Sequence, residues 1–232
     1  MNEFFLDIYN VRIILALIML TIATTMDLWR REIHDLLWII FGVIAIVILF
    51  FEPEFSDTLF GVAVSLIIAP LALVLWRIGL FGGADAFCLI VLAALAPFAT
   101  FSDGTITPFT TFTNAVLLST ISLFVNAIRN GIALSRHKDI FEGFKETRLK
   151  KVIAIFLGYR AKNPRYGFSI ERREGNHKKL DIVFHNADTA EFCTESNTWV
   201  TPGIPYMLFI TGGFIIQLFY GDVIFTFFAN IL

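Results

Sequence analysis

Gly79-Leu80-Phe81-Gly82-Gly83-Ala84-Asp85 lies between two apolar segments and sets a carboxylate where a membrane helix would begin. A charge at the bilayer centre costs about 2.5–3.5 kcal/mol on insertion scales, so such residues usually have a partner or a task. The small residues Gly82, Gly83 and Ala84 let a neighbouring backbone or a substrate approach closely. The other aspartate at a comparable place is Asp27, at the end of an apolar run in Thr25-Met26-Asp27-Leu28-Trp29-Arg30-Arg31. The reading that follows is that the two carboxylates meet at one membrane face and act together.

The surroundings of this stretch define the class. Of the 232 residues 56% are hydrophobic and 26 are Phe, and the mean hydropathy is +0.73. Long apolar runs replace the polar faces a soluble domain would need, so the chain reads as an all-α integral membrane protein. Six apolar segments, at about 11–26, 36–51, 59–75, 86–101, 112–134 and 204–228, predict six transmembrane helices. Pro70 should kink the third and Pro97 the end of the fourth, and Gly212-Gly213 should mark close helix packing in the last. The first segment has no basic region before it and is read as a retained helix rather than a cleaved leader.

Orientation follows from the basic residues. Of the 18 Lys and Arg, only Arg12 falls on the side of the acidic connections 52–57 and 102–108. The positive-inside bias therefore puts the N-terminus outside and Asp27 and Asp85 together at the cytoplasmic face. The expected organisation is 1–134, with five helices and both aspartates, a cytoplasmic α+β insert at 135–201 between helices five and six, and the sixth helix at 202–232.

Within the insert, 138–159 predicts a basic amphipathic helix at the membrane surface, and 166–172 and 180–185 predict a hairpin around Glu174, Gly175 and Asn176. Asn114, Asn126, Arg129 and Asn130 on segment five read as interhelical hydrogen-bonding groups and an anchor.

Two carboxylates a few ångströms apart share a proton. The ionised one can take a proton from water while the protonated one polarises a carbonyl, which suits amide hydrolysis without a metal. If the first helix continued, Asp27, Arg31 and Asp35 would share one of its faces. Asp85 also has a simpler reading as a helix cap. The stretch Pro202-Gly203-Ile204-Pro205 reads as a helix start whose unpaired backbone could take an extended peptide as an added strand. His34, His137, His177 and His185 lack metal-ligand spacing, Cys88 and Cys193 form no C-x-x-C pattern, and no histidine is placed to activate Ser65, Ser119 or Ser122. There is no basic tract suited to nucleic acid.

Together, 27–35 (Asp-Leu-Trp-Arg-Arg-Glu-Ile-His-Asp), Gly82-Gly83-Ala84-Asp85 and Pro202-Gly203-Ile204-Pro205 resemble the motifs of the type IV prepilin peptidase and archaeal preflagellin peptidase family. These are membrane aspartyl proteases named for Gly-x-Gly-Asp, and Ala84 replaces the second glycine here. The resemblance implies Asp27 and Asp85 as the catalytic pair, with Gly82, Gly83, Ala84, Arg31, Asp35, Pro202, Gly203 and Pro205 supporting them or the substrate. It implies no cofactor, and as partners preflagellin- or prepilin-like subunits with short basic leader peptides, together with the lipid bilayer. Bacterial members also methylate the new N-terminus and carry a C-x-x-C domain in the first cytoplasmic connection. That connection is short and cysteine-free here, so peptidase activity alone is expected. A presenilin-like intramembrane protease and a proton-coupled transporter are the competing readings. The first lacks its Pro-Ala-Leu motif here, and the second would call for acidic residues deep within spans.

Overall fold

The computed structural model describes residues 8–98, 107–136, 139–174, 177–182 and 191–229, and the chain divides into two units, Met1–Leu118 with Pro205–Leu232, and Ser119–Ile204. The molecule is mostly helical with a small sheet region.

The first unit holds α1 (Ile8–Arg30), α2 (Asp35–Leu49), α3 (Phe55–Ser65), α4 (Ile68–Arg77), α5 (Gly83–Leu95), the start of α6 (Thr107–Ser135), α8 (Tyr206–Tyr220) and α9 (Val223–Ala229). Three of these are long and apolar enough to cross a membrane: α1, the nearly continuous rod of α3 and α4 (Phe55–Arg77), and α6. The helices α2, α5 and α8 are apolar but shorter. Their core is built from small and medium side chains at helical spacing, among them Ala16, Met19, Leu20 and Ala23 of α1 and Leu89, Leu92 and Leu95 of α5.

The expected third segment is broken rather than gently bent. Pro70 has no amide hydrogen for the Leu66 carbonyl, which accepts from Ala69 N at 2.9 Å instead, and Ile67 N turns to Val64 O at 3.2 Å. The helix therefore stops at Ser65 and restarts at Ile68. The expected sixth segment is likewise two helices, α8 and α9, divided at Gly221, whose φ of 69° is a left-handed conformation that glycine tolerates. Asn114 bridges this corner: its Nδ2 donates to Gly221 O at 2.9 Å and its Oδ1 accepts from Val223 N at 3.2 Å. Asn114 thus fills the interhelical role expected of it. Gly213 also packs as expected, since a Cβ there would lie 2.5 Å from the Thr111 carbonyl oxygen of α6. The end of the fourth segment (99–101) lies outside the described residues.

The second unit contains the rest of α6, then α7 (Arg148–Leu157), β1 (Tyr159–Ala161), β2 (Gly167–Ser169), β3 (Glu171–Glu174), β4 (His177–Leu180) and β5 (Thr198–Pro202). The expected amphipathic helix at 138–159 is confined to α7. Phe141 and Phe144 precede it in a turn, where Phe141 stacks on the fully buried Trp199 with centroids 4.9 Å apart. The expected first hairpin strand, 166–172, is divided between two pairings. Gly167–Ser169 joins β5, and Glu171–Glu174 joins β4, with Arg172 opposite Lys179. Gly175 and Asn176 of the expected turn, and 183–185 of the second strand, lie outside the described residues.

Asn126 donates to Phe156 O at 3.1 Å, and Asn130 to Ile155 O at 2.8 Å and Gly158 O at 2.7 Å. The two amides of α6 thus satisfy the orphan carbonyls at the C-terminus of α7. The Arg129 guanidinium lies over the Tyr159 ring, 3.6 Å from its centroid.

Candidate active site

Asp27 occupies the last turn of α1 and is half-buried. Its Oδ2 accepts from the amide of Met207 at 3.3 Å, in the first turn of α8. Amides in a first helical turn have no partner within the helix and carry its positive end, so they suit a carboxylate. Three contacts fix α8 antiparallel to α1: Thr24 Oγ1 donates to Met207 O at 3.1 Å, Thr24 and Thr211 hydroxyls meet at 2.7 Å, and Thr211 donates to Leu20 O at 3.4 Å.

Asp85 is the third residue of α5, also half-buried, and its Oδ2 accepts from Gly82 N at 3.0 Å. Asp85 is therefore not the N-cap residue itself, which is Gly82, but the third residue of the helix, whose carboxylate reaches back to the N-cap amide. This arrangement also accounts for the glycines. A Cβ on Gly82 would lie 3.3 Å from Asp85 Oδ2, and one on Gly83 would lie 3.3 Å from the Trp76 ring of α4. Gly82 leaves room for the carboxylate, and Gly83 lets α4 close on α5. Ala84, between them and Asp85, is half-buried in the same first turn.

The two carboxylates belong to one end of the first unit, by two independent routes. Arg12, near the start of α1, donates from Nη1 to Ala94 O at 3.3 Å and Leu95 O at 2.8 Å, at the end of α5. The two helices are thus antiparallel, and the last turn of α1 lies at the same end as the first turn of α5. Near that end the Phe81 and Tyr206 rings meet with centroids 5.1 Å apart. Phe81 precedes the amide that holds Asp85, and Tyr206 precedes the amide that holds Asp27.

The other expected site residues divide. α1 does not continue through Arg31, which has φ 59° and closes the helix in the left-handed region, so Asp27, Arg31 and Asp35 do not share one helical face. Asp35 opens α2 as an exposed residue at its positive end. Pro205 is the N-cap of α8 in the first unit, whereas Pro202 and Gly203 belong to the second. The backbone before them is not open to an added strand. β5 is the middle strand of the order β1-β5-β2, antiparallel to both neighbours, and Gly203 N donates to Tyr166 O at 2.7 Å.

Sequence reasoning missed Met207, Phe81, Tyr206 and Arg12. Met207 and Tyr206 follow from the start of α8, which Pro205 signalled, and Phe81 lies in the stretch before α5; nothing in the sequence pairs Arg12 with α5. Among the described residues no group of three or more His, Cys, Asp or Glu is placed to hold a metal ion. The arrangement offers two half-buried carboxylates, Asp27 accepting from the Met207 amide and Asp85 from the Gly82 amide.

The fold is thus that of a helical, strongly apolar chain with two half-buried carboxylates at one end of its first unit. Residues 14–127 match the type IV leader peptidase family, and residues 126–223 match the archaeal peptidase A24 C-terminus, type II. The chain is 26% identical to the preflagellin peptidase of Methanocaldococcus jannaschii over 95% of its own length and 98% of the relative's. It is 28% identical to the preflagellin peptidase of Methanococcus maripaludis, covering 90% and 94%. For the preflagellin peptidase of Methanococcus voltae the identity is 24%, covering 90% and 95%. The two matched models together span residues 14–223, and over that length the chain is similar to proteases of the type IV leader peptidase family.

Proposed function

We propose that this protein is an aspartic endopeptidase that removes the short basic leader peptide of preflagellin-like subunits at the cytoplasmic membrane face. The observation that carries this reading is the placement of Asp27 and Asp85 at one end of antiparallel α1 and α5. The names of the relatives support the substrate, and the basic bias of the connections supports the cytoplasmic side.

In this mechanism the pair holds one proton. The ionised carboxylate takes a proton from water as the water oxygen attacks the scissile carbonyl, and the protonated one gives its proton to the carbonyl oxygen. Collapse of the tetrahedral species then breaks the C–N bond, with a proton delivered to the leaving amine. No metal takes part, and the new N-terminus is not methylated. Gly82, Gly83, Ala84 and Arg31 shape the immediate surroundings. Asp35 and Pro205 serve the substrate's approach.

The full topology belongs to the same proposal. Six spans cross the bilayer, with α2, α5 and α8 as short spans extended by their flanks, the N-terminus outside and the 135–201 insert in the cytosol. The expected division into 1–134, 135–201 and 202–232 goes with it.

The test is cleavage of a preflagellin-like substrate in membranes by wild type, Asp27→Asn and Asp85→Asn. Each substitution should lower the rate by about 10²–10⁴-fold while the protein still accumulates. Full activity in either variant overturns the proposal.

A further inference from the structure

In the second unit α7 turns its apolar side outward. Leu149, Val152, Ile153 and Phe156 stand at i, i+3, i+4 and i+7, so they form one stripe about 100° wide. All four are exposed, Leu149 at 70%. Ala154, fully buried, lies on the opposite side of the helix and faces the unit's own core of Ile140, Phe144 and Trp199. A helix of a soluble domain would bury such a stripe, so the solvent here is something other than water.

Two further observations name that solvent. Asn126 and Asn130 hold the C-terminus of α7 on α6 at five to nine residues before the end of that helix, about 8–14 Å along its axis. At that level α6 itself exposes Phe124, Val125 and Ile128, each more than half exposed. The side of α6 turned away from α7 is thus apolar at this level, along a helix long enough to cross a membrane. The second observation is charge. Arg148 and Lys150, both exposed, stand on either side of the stripe, and exposed Arg129 lies beside the end of α7. Glu146 offsets one of these cations, pairing with Lys150 at 3.4 Å, and Lys151 lies over the Phe141 ring. A second copy of the same face would set like charges against each other, whereas lipid phosphates complement them.

We propose that α7 is an interfacial helix, with Leu149, Val152, Ile153 and Phe156 in the acyl region of an anionic leaflet and Arg148 and Lys150 at its phosphates. The proposal rests on α6 crossing the bilayer and is independent of the peptidase assignment. It makes anionic lipid the partner that moors the second unit.

Nitroxide accessibility on the full chain in lipid nanodiscs tests it, with Cys88→Ala and Cys193→Ala removing the native thiols. Probes are placed by Val152→Cys and Phe156→Cys, with Phe124→Cys on α6 as the lipid reference and Lys162→Cys as the water reference. In discs of phosphatidylcholine with phosphatidylglycerol, positions 152 and 156 should favour oxygen over a nickel chelate several-fold relative to 162. The preference should weaken in phosphatidylcholine alone. Nickel access at 152 and 156 equal to that at 162 overturns the proposal, as does shielding from both reagents, which would mean a protein cover. Identical immersion in both lipids overturns it too. If position 124 is itself in water, α6 does not cross the bilayer and the proposal falls with it.

Discussion

Arg12 Nη1 donates to the Leu95 carbonyl at 2.8 Å, tying the start of α1 to the end of α5. That bond sets the axial register of the two helices that carry the carboxylates. From 12 to 27 along α1 is about 22 Å, and from 95 back to 85 along α5 is about 15 Å. Asp27 and Asp85 therefore both lie toward the end of the pair opposite this bond.

The register is held by a buried charge, which makes it costly to disturb. Arg12 is only 4% exposed and its Nε pairs with Glu52. Removing one partner of a buried pair leaves the other charge uncompensated, at about 3–5 kcal/mol. Arg12→Ala should lower the thermal midpoint in detergent by the equivalent of that loss. An unchanged midpoint would remove Arg12 as the pin between α1 and α5.

Adjacent glycines on α8 should differ sharply. A Cβ on Gly213 would meet backbone, Thr111 O at 2.5 Å and Ala115 N at 2.8 Å, whereas one on Gly212 would meet only the Leu118 Cδ1 methyl at 2.9 Å. A methyl can rotate away and a helix backbone cannot. Gly213→Ala should cost about 1–3 kcal/mol and Gly212→Ala markedly less, read by thermal denaturation. Equal costs would contradict the close α6–α8 approach.

Charge at the candidate site gives a salt-dependent expectation. Exposed Asp35 and Glu32 stand in or beside the connection that follows Asp27 and would attract a basic leader peptide. Asp35→Lys should reduce kcat/KM by about two- to fivefold at low ionic strength, with the difference closing as salt is added. A rate unchanged at every ionic strength removes the acidic patch from substrate capture.

How much of this was legible depends on what each signal measures. Hydropathy located the apolar segments because transfer to lipid is a property of composition, and it found Asp27 and Asp85 because charges interrupt that composition. It says nothing of where a helix breaks. The stop at Ser65 depends on which carbonyl loses its partner to Pro70, and the corner at Gly221 on an Asn114 side chain about a hundred residues away in the chain. Arg31 illustrates the same gap, since an arginine gives no local sign that it will adopt a left-handed conformation. Alternation identified strand-forming residues at 166–172, but neither the strand Tyr159–Ala161 nor that Thr198–Pro202 would sit between it and Gly167–Ser169. Pairing over such separations is a tertiary fact.

The central claim is that Asp27 and Asp85 come together at one end of the α1–α5 pair, and a short bifunctional thiol reagent measures it most directly. In a chain lacking the native cysteines, Asp27→Cys with Asp85→Cys should cross-link rapidly in membranes. Asp27→Cys with Glu52→Cys, whose second position pairs with Arg12 at the far end of α1, should not. Absence of a link in the first pair, or equal linking in both, would contradict the account.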